Sequence, residues 1–290
     1  MNRNTIGFLA VTMGLVFMGC ANPPAPPPSG YTSANIGTLK YVPGGTFQRD
    51  ATPANTSTVT AFRMSQHEIT RAQFAALLIT DPSDTLYSSG TTDPVQMTNW
   101  YHAIAFCNKL SLAEGLTAVY SVTGVDFVAL TYAAIPTTNN VDWNAATATW
   151  TNTGYRLPTE MEWMWAAMGA TSGMTGYLKA FAGSTGSNVV GDYAWYIVNS
   201  VGTTHPAGTK LPNELGLYDM SGNVWEWIWD GFETYPTGAV TDYRGGTSVG
   251  MRVVRGGSCI GPASELTVAY RIGDSPITLY VDLGFRVVRP

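Results

Sequence analysis

The tetrapeptide Arg-Val-Val-Arg occurs twice near the C-terminus, at residues 252–255 and again at residues 286–289. Valine is β-branched and favours extended backbone, so both copies are predicted to be strands. Residues 259–282, between them, show neither sustained alternation nor a helical period. Two stiff strands that hold a long irregular loop are a way of displaying binding groups on a rigid base. We therefore predict a rigid frame that carries an exposed loop.

The N-terminus has the layout of a secretion signal, because Arg3 precedes an apolar run from Ile6 to Met18. The run has about 13 residues, well short of the roughly 20 that span a bilayer as a helix. Val-Phe-Met-Gly directly before Cys20 looks like a bacterial lipobox. We predict a lipoprotein signal peptide at residues 1–19 and lipidation of Cys20. An ordinary signal peptide with a chance cysteine is the alternative.

A proline-rich stretch follows the predicted lipidation site, at residues 23–30. Such a composition gives an extended, stiff chain, so residues 20–36 are predicted to be a tether. A spacer suits a tethered protein, and we expect an exported chain that is lipid-anchored to the outer surface of the bacterial cell envelope. Residues 37–290 are long enough for one large domain with a substantial core, although two domains are also compatible with this length.

The charge pattern argues against a nucleic-acid partner. The formal net charge is -5, and no stripe or cluster of Lys and Arg appears along the chain. Beyond Cys20 the chain has only Cys107 and Cys259. Two cysteines do not make a disulfide framework, and no CxxC or His/Cys spacing indicates zinc.

Three segments carry helix signals. One helix is predicted to begin at Thr70, whose side chain can cap the first turn while Gln73 reaches back. The second, residues 100–110, places Cys107 on its apolar side, which predicts a core residue and not a reactive thiol. The third has Thr159 as its cap and a glutamate at the capping-box position.

The rest of the body is dominated by Gly, Ser, Thr and Asn with scattered aromatic residues, which predicts short strands and long ordered loops. This mixture favours an α+β domain over a βαβ repeat. No internal period suggests a solenoid or propeller. Trp225, Trp227 and Trp229 alternate as a strand would, and core packing explains them better than a sugar-binding platform does.

Five stretches together resemble the formylglycine-generating enzyme (sulfatase-modifying factor) family. They are Val-Pro-Gly-Gly-Thr-Phe at 42–47, Gly-Tyr-Arg-Leu-Pro-Thr-Glu-Met-Glu-Trp at 154–163, the run from Asn213 to Trp227, Arg-Gly-Gly-Ser at 255–258 and Leu-Gly-Phe-Arg at 283–286. They follow the family's order and span almost the whole body. The resemblance implies the family's α+β variant of the C-type lectin fold, with few helices around short irregular β-sheets.

The family's chemistry is not expected to carry over. In its enzymes the Gly-Gly-Ser motif precedes two cysteines that handle copper and oxygen. Counted from residues 256–258, those positions fall on Gly261 and Leu266, and neither side chain is a thiol. Cys259 stands where the family usually has an aromatic residue. The chain is thus predicted not to be an enzyme, with a divergent oxidase or another enzyme on this scaffold as the alternative.

The same pattern resembles the variable proteins of diversity-generating retroelements, in which mutagenesis rewrites a C-terminal segment between Arg-Gly-Gly-Ser and Gly-Phe-Arg. This resemblance predicts that residues 259–282, hereafter the variable segment, bind a protein or another surface ligand. The predicted ligand-binding residues are Cys259, Ile260, Gly261, Ser264, Tyr270, Ile272, Gly273, Asp274, Ile277, Leu279, Tyr280, Val281 and Asp282.

The resemblance also implies a structural calcium ion in the Gly-Asn-x-Trp-Glu-Trp region, held by Asp219, Gly222, Val224 and Glu226. Two carboxylates with carbonyl oxygens suit a hard cation. Alternatively, Asp219 and Glu226 satisfy turn amides or pair with arginines, and the sequence leaves both possibilities open. No cofactor is expected to be required.

Overall fold

The computed structural model describes Met1 and residues 30–171, 176–246 and 249–290. The predicted signal peptide beyond Met1, the predicted lipidation site Cys20 and the proline-rich part of the tether up to residue 29 lie outside these residues. Within the described ranges, no helix has both the length and the apolar character needed to cross a bilayer.

The described residues form four α-helices and thirteen short strands, which confirms the predicted α+β class. The helices are α1 (Arg71–Leu78), α2 (Trp100–Ala113), α3 (Val141–Asn144) and α4 (Glu160–Ala167). The strands are β1 (Tyr31–Ser33), β2 (Gly37–Val42), β3 (Gly45–Gln48), β4 (Thr56–Val59), β5 (Phe62–Ser65), β6 (Tyr120–Ser121), β7 (Thr147–Ala148), β8 (Trp225–Gly231), β9 (Val240–Thr241), β10 (Arg252–Arg255), β11 (Arg271–Asp274), β12 (Leu283–Gly284) and β13 (Val288–Arg289).

The helix starts follow their predicted capping chemistry. At α1 the Thr70 side chain accepts from the Gln73 amide, and Gln73 Oε1 accepts from the Thr70 amide at 2.9 Å. At α4, Thr159 and Glu162 form the same reciprocal pair. Each pair satisfies two backbone donors that a helix start otherwise leaves unbonded. Cys107 is fully buried in α2, as its position on the apolar side predicted.

Four sheets organise the strands. Their orders are β1-β2-β5-β13, β3-β4-β9, β6-β7 and β11-β10-β8-β12. We call the last of these the C-terminal sheet. Within it, β10 pairs antiparallel with both β8 and β11, while β12 pairs parallel with β8.

The two Arg-Val-Val-Arg copies differ in structure. The first is β10 throughout, as predicted, whereas only Val288–Arg289 of the second forms a strand, and that strand belongs to a different sheet. The expectation of an irregular loop over the whole variable segment is also wrong, because β11 forms there and pairs with β10. Gly273 lowers the strand propensity of residues 271–274, so their extended conformation depends on pairing with β10.

The folded body begins earlier than the predicted boundary at residue 37. β1 pairs antiparallel with β2, so residues of the predicted tether belong to a sheet. Ser33 and Asn35 donate hydrogen bonds to the Glu114 carboxylate at the end of α2, and Ile36 is buried. The predicted end of the tether at residue 36 is therefore corrected to a point before Tyr31.

The C-terminal sheet separates two hydrophobic clusters, because alternate residues of a strand point to opposite faces. Trp227 and Val254 pack into the cluster that contains Phe106 of α2. Ile228 and Val253 pack into the second cluster, with Trp163 of α4. Core packing of Trp227 is thus confirmed, and the centre of the sheet is buried on both faces.

One ion pair lies fully inside this core. Arg286 Nη2 is 2.7 Å from Glu226 Oε1, and both side chains are 0% exposed. Trp163 Nε1 donates to Glu226 Oε2 at 2.8 Å, and Arg286 Nη2 also donates to the carbonyls of Tyr218 and Asp219. These bonds join β8, α4 and the C-terminal residues after the variable segment.

Replacing Arg286 with Met should lower the free energy of unfolding by about 3–5 kcal/mol, because Glu226 would be left buried without its cation. Urea denaturation measures the change. As a matched control, Glu214→Gln removes one partner of the partly exposed Lys179–Glu214 pair and should cost about 1 kcal/mol or less. Equal losses in the two variants would contradict a structural role for the buried pair.

Candidate functional site

An open groove of about 300 Å³ lies against the C-terminal sheet. Its lining is mainly apolar and comes from strands β8, β10, β11 and β12 and from the variable segment. The lining residues are Trp225, Val254, Ile260, Ile272, Asp274, Tyr280, Asp282 and Leu283. Five of them belong to the predicted ligand-binding set, namely Ile260, Ile272, Asp274, Tyr280 and Asp282.

The floor of the groove follows from strand register. Val254 on β10 is paired with Ile272 on β11, and Leu283 on β12 is paired with Trp225 on β8. Paired residues of neighbouring strands project from the same face of a sheet, so these four side chains form a continuous apolar surface. Val254, Leu283 and Trp225 were not predicted as site residues, since their place depends on pairing between distant segments.

Two side chains stand at the rim of the groove. Ile260 is 40% exposed and Tyr280 is 51% exposed. The backbone beside them is fixed, because the Met97 amide donates to the Tyr280 carbonyl at 2.9 Å and the Ile197 amide donates to the Gly261 carbonyl at 3.1 Å. The rim therefore presents free side chains on an ordered backbone.

A short turn at residues 274–278 shapes one side of the groove. Asp274 Oδ1 accepts from the Ser275 amide at 2.7 Å and from Thr278 Oγ1 at 2.6 Å. The Trp100 amide at the start of α2 donates to the Pro276 carbonyl at 3.0 Å. These bonds hold the second half of the variable segment against the body.

Two predicted ligand-binding residues are buried, and a third faces away from the groove. Cys259 is 1% exposed, with its amide and carbonyl bonded to Asn223 and Ser200, because the chain passes inward after β10. Gly261 is also buried. Gly273 is half-buried and is paired with Val253, so it lies on the sheet face opposite the groove, against Phe232. The assignment of Cys259 and Gly261 to the exposed binding surface is corrected, and Gly273 is not part of the groove face.

The remaining predicted residues lie outside the lining of the groove. Tyr270 is half-buried, and its ring centroid lies 5.9 Å from that of Trp225. Ile277 is half-buried and packs against the core cluster that contains Phe106. Ser264 is exposed, and the half-buried pair Leu279 and Val281 precedes and follows Tyr280.

The positions predicted from the sequence to correspond to the family's two cysteines, Gly261 and Leu266, offer no thiol. Leu266 is buried and packs with Phe181 and Ala194. At Gly261 an added Cβ would lie 2.6 Å from Glu265 Oε2. Cys107 and Cys259 are free but buried, and burial, with Asp282 nearby, raises the pKa of the Cys259 thiol to about 12.

A thiol with so high a pKa is protonated at neutral pH, whereas the thiolate is the nucleophile and the metal ligand. Burial also raises the pKa of the Cys107 thiol, inside α2. Neither of these cysteines therefore presents a reactive sulfur to the groove.

The predicted calcium ligands do not form a cation cage. Both oxygens of Glu226 bond to Arg286, and Oε2 also accepts from Trp163, which is the arginine-pairing alternative that the sequence left open. Asp219 Oδ2 accepts from the Gly208 amide at 2.6 Å, while its Oδ1 is buried without a hydrogen-bond partner. Across the described part of the chain, no three His, Cys, Asp or Glu side chains are grouped to hold a metal. Glu226 is therefore committed to Arg286 and Trp163, and the calcium site stays a prediction.

Known proteins share this architecture. Treponema denticola variable protein 1 matches with a TM-score of 0.81 and 36% identity, covering 90% of this chain and 99% of that chain. Chaperone protein LppX of Paenibacillus barcinonensis is 30% identical over 267 residues, which are 87% of this chain and 89% of LppX. The formylglycine-generating enzyme of Streptomyces coelicolor is 33% identical over 163 residues, 51% of this chain and 50% of the enzyme.

The similarity to variable protein 1 and to LppX thus extends over nearly the whole chain, whereas the similarity to that enzyme covers about half of it. The structural match confirms the resemblance to variable proteins. The family model for the sulfatase-modifying factor enzyme 1-like domain matches residues 29–290. The chain therefore belongs to the sulfatase-modifying factor enzyme 1-like domain family.

Proposed function

We propose that this chain is a non-catalytic, surface-displayed lipoprotein that binds a protein ligand through the groove of the C-terminal sheet. The observation that carries the proposal is the groove itself, where five residues of the variable segment meet an apolar floor. Concave, mainly apolar surfaces with a few polar groups are typical of binding sites.

Binding through this groove would cost the protein little conformational entropy. Tyr280 and Ile260 extend from backbone that is hydrogen-bonded to other segments, so a ligand meets side chains on an ordered support. Aromatic and aliphatic groups displayed in this way supply contact area at low entropic cost, as antibody loops do.

The rim also suits diversification, which we propose for the variable segment. Ile260 and Tyr280 are exposed, so their replacement need not disturb the core. The two ends of the segment are held by buried groups, since the Cys259 amide bonds to the Asn223 carbonyl and Asp282 Oδ2 accepts from Ser258. Sequence change at the rim would alter specificity while the frame stays intact.

We propose that catalysis is absent and that no cofactor is required. The positions of the family's cysteines hold Gly261 and Leu266, and Glu226 is committed to Arg286. Similarity to a formylglycine-generating enzyme keeps a divergent oxidase as the second candidate.

We further propose that Cys20 is lipidated and that the proline-rich stretch after it holds the folded body away from the membrane. Both proposals are supported by the order of an apolar run, a lipobox-like motif and a proline-rich spacer in the sequence.

Tyr280→Ala should weaken ligand capture at least about tenfold while leaving the melting temperature nearly unchanged, because the exposed ring contributes contact area and not core packing. Peptides selected from a random library on the immobilised chain serve as ligands, and Tyr87→Ala, at an exposed tyrosine outside the groove, is the matched control. Binding should be unaffected by EGTA. Selected peptides that bind Tyr280→Ala as tightly as the unmodified chain would count against the groove.

The chain should consume no oxygen when mixed with copper and cysteine-containing peptides, because it lacks the family's thiol pair. An oxygen electrode measures the rate, and an active formylglycine-generating enzyme is the positive control. Copper-dependent turnover would restore the oxidase candidate and refute the non-catalytic assignment.

Cys20→Ser should move the protein from the membrane fraction to the soluble fraction and abolish incorporation of labelled fatty acid in a bacterial host, because serine offers no thiol for lipidation. Cys107→Ser, at a buried core cysteine, is the control and should keep the label. Unchanged fractionation and labelling of Cys20→Ser would contradict the lipid anchor.

A further inference from the structure

The groove carries negative charge on its apolar walls. Asp274 and Asp282 line it, and no lysine, arginine or histidine is among the described residues of its lining. Glu265 lies close by, since burial and then the charge of Asp282 raise the pKa of its carboxyl group. A ligand that enters the groove therefore meets carboxylates and no cation.

Arg252 lies opposite Asp274 in the strand register, but its guanidinium makes its described contacts elsewhere. Arg252 donates to the Trp229 and Asn144 carbonyls and stacks 3.8 Å above the ring centroid of Trp100. Arg255 and Arg271 project from the opposite face. Arg271 binds both oxygens of Glu160, and Arg255 lies 3.1 Å from the same carboxylate.

Asp282 is held in place but remains without a cationic partner in the groove. It is 6% exposed, and Ser258 Oγ donates to its Oδ2 at 2.6 Å. Burial raises the pKa of this carboxyl group although the bond from Ser258 lowers it, because a hydroxyl compensates only part of the lost hydration. An incoming cation would supply the missing counter-charge.

The shape of the site favours a polypeptide. β11 is the outermost strand of the C-terminal sheet, so alternate residues direct backbone N–H and C=O groups away from β10. Such an edge can pair with an extended segment of another chain. The volume of about 300 Å³ is at the low end of ligand pockets, which suits a single large side chain.

We propose that the ligand is an extended polypeptide segment that inserts one large apolar side chain into the groove and places a neighbouring lysine or arginine against Asp274 and Asp282. The inference rests on the proposed function and specifies its ligand. The apolar side chain would contact Trp225 and Ile272, while the cation would meet Asp274 and Asp282, which form no ion pair among the described residues.

The test uses the peptides selected on the unmodified chain. Those that depend on Tyr280 should contain a large apolar residue beside Lys or Arg, and replacing that cation with Gln should weaken binding about tenfold at low salt. Asp274→Asn and Asp282→Asn should each reduce this cation preference, because asparagine keeps an acceptor oxygen but removes the charge. Asp192→Asn, at an exposed carboxylate outside the groove, should retain it.

The outcomes separate the two proposals. The inference would be overturned if peptides that depend on Tyr280 carry no cation. It would also be overturned if they bind both asparagine variants with an unchanged cation preference. Either result would leave the groove as the binding site. Peptides that ignore Tyr280 would refute the proposed function itself. A cation preference that declines as salt rises from 0.05 to about 0.5 M would support direct charge pairing, and a salt-independent preference would contradict it.

Discussion

The buried ion pair between Glu226 and Arg286 fixes how the C-terminal sheet, α4 and the end of the variable segment are arranged. It joins β8 to the residues that follow the variable segment, and the Trp163 bond adds α4 to the same network. An unpaired charge in this interior would cost several kcal/mol, so the pair strongly favours one arrangement of these elements. Both ends of the variable segment then start from fixed positions, and the groove forms between them.

This arrangement separates stability from recognition. Residues such as Val253 and Cys259 belong to the interior, whereas Ile260 and Tyr280 point outward from the same part of the chain. A scaffold with that division can exchange exposed side chains without rebuilding its core.

Features that neighbouring residues determine are predictable from the sequence, whereas features that depend on contacts between distant residues are not. The capping pairs at Thr70 and Thr159 and the strand of residues 252–255 follow from neighbouring residues alone, and the family motifs correctly indicated the fold. β11 was missed because β10 stabilises it, and Cys259 was misplaced because its burial depends on Asn223 and Ser200, about 36 and 59 residues away. The floor of the groove could not be predicted, because it depends on which residues of neighbouring strands are paired.

Hydrogen exchange in the free and ligand-bound protein reports whether a preformed frame presents the groove. We expect amides of β8 and β10 to be protected in the free protein, with ligand-induced protection confined to residues 259–282 and their immediate neighbours. Rapid exchange of β8 and β10 before binding, or protection that appears mainly elsewhere after binding, would contradict a rigid frame with its binding surface at this groove.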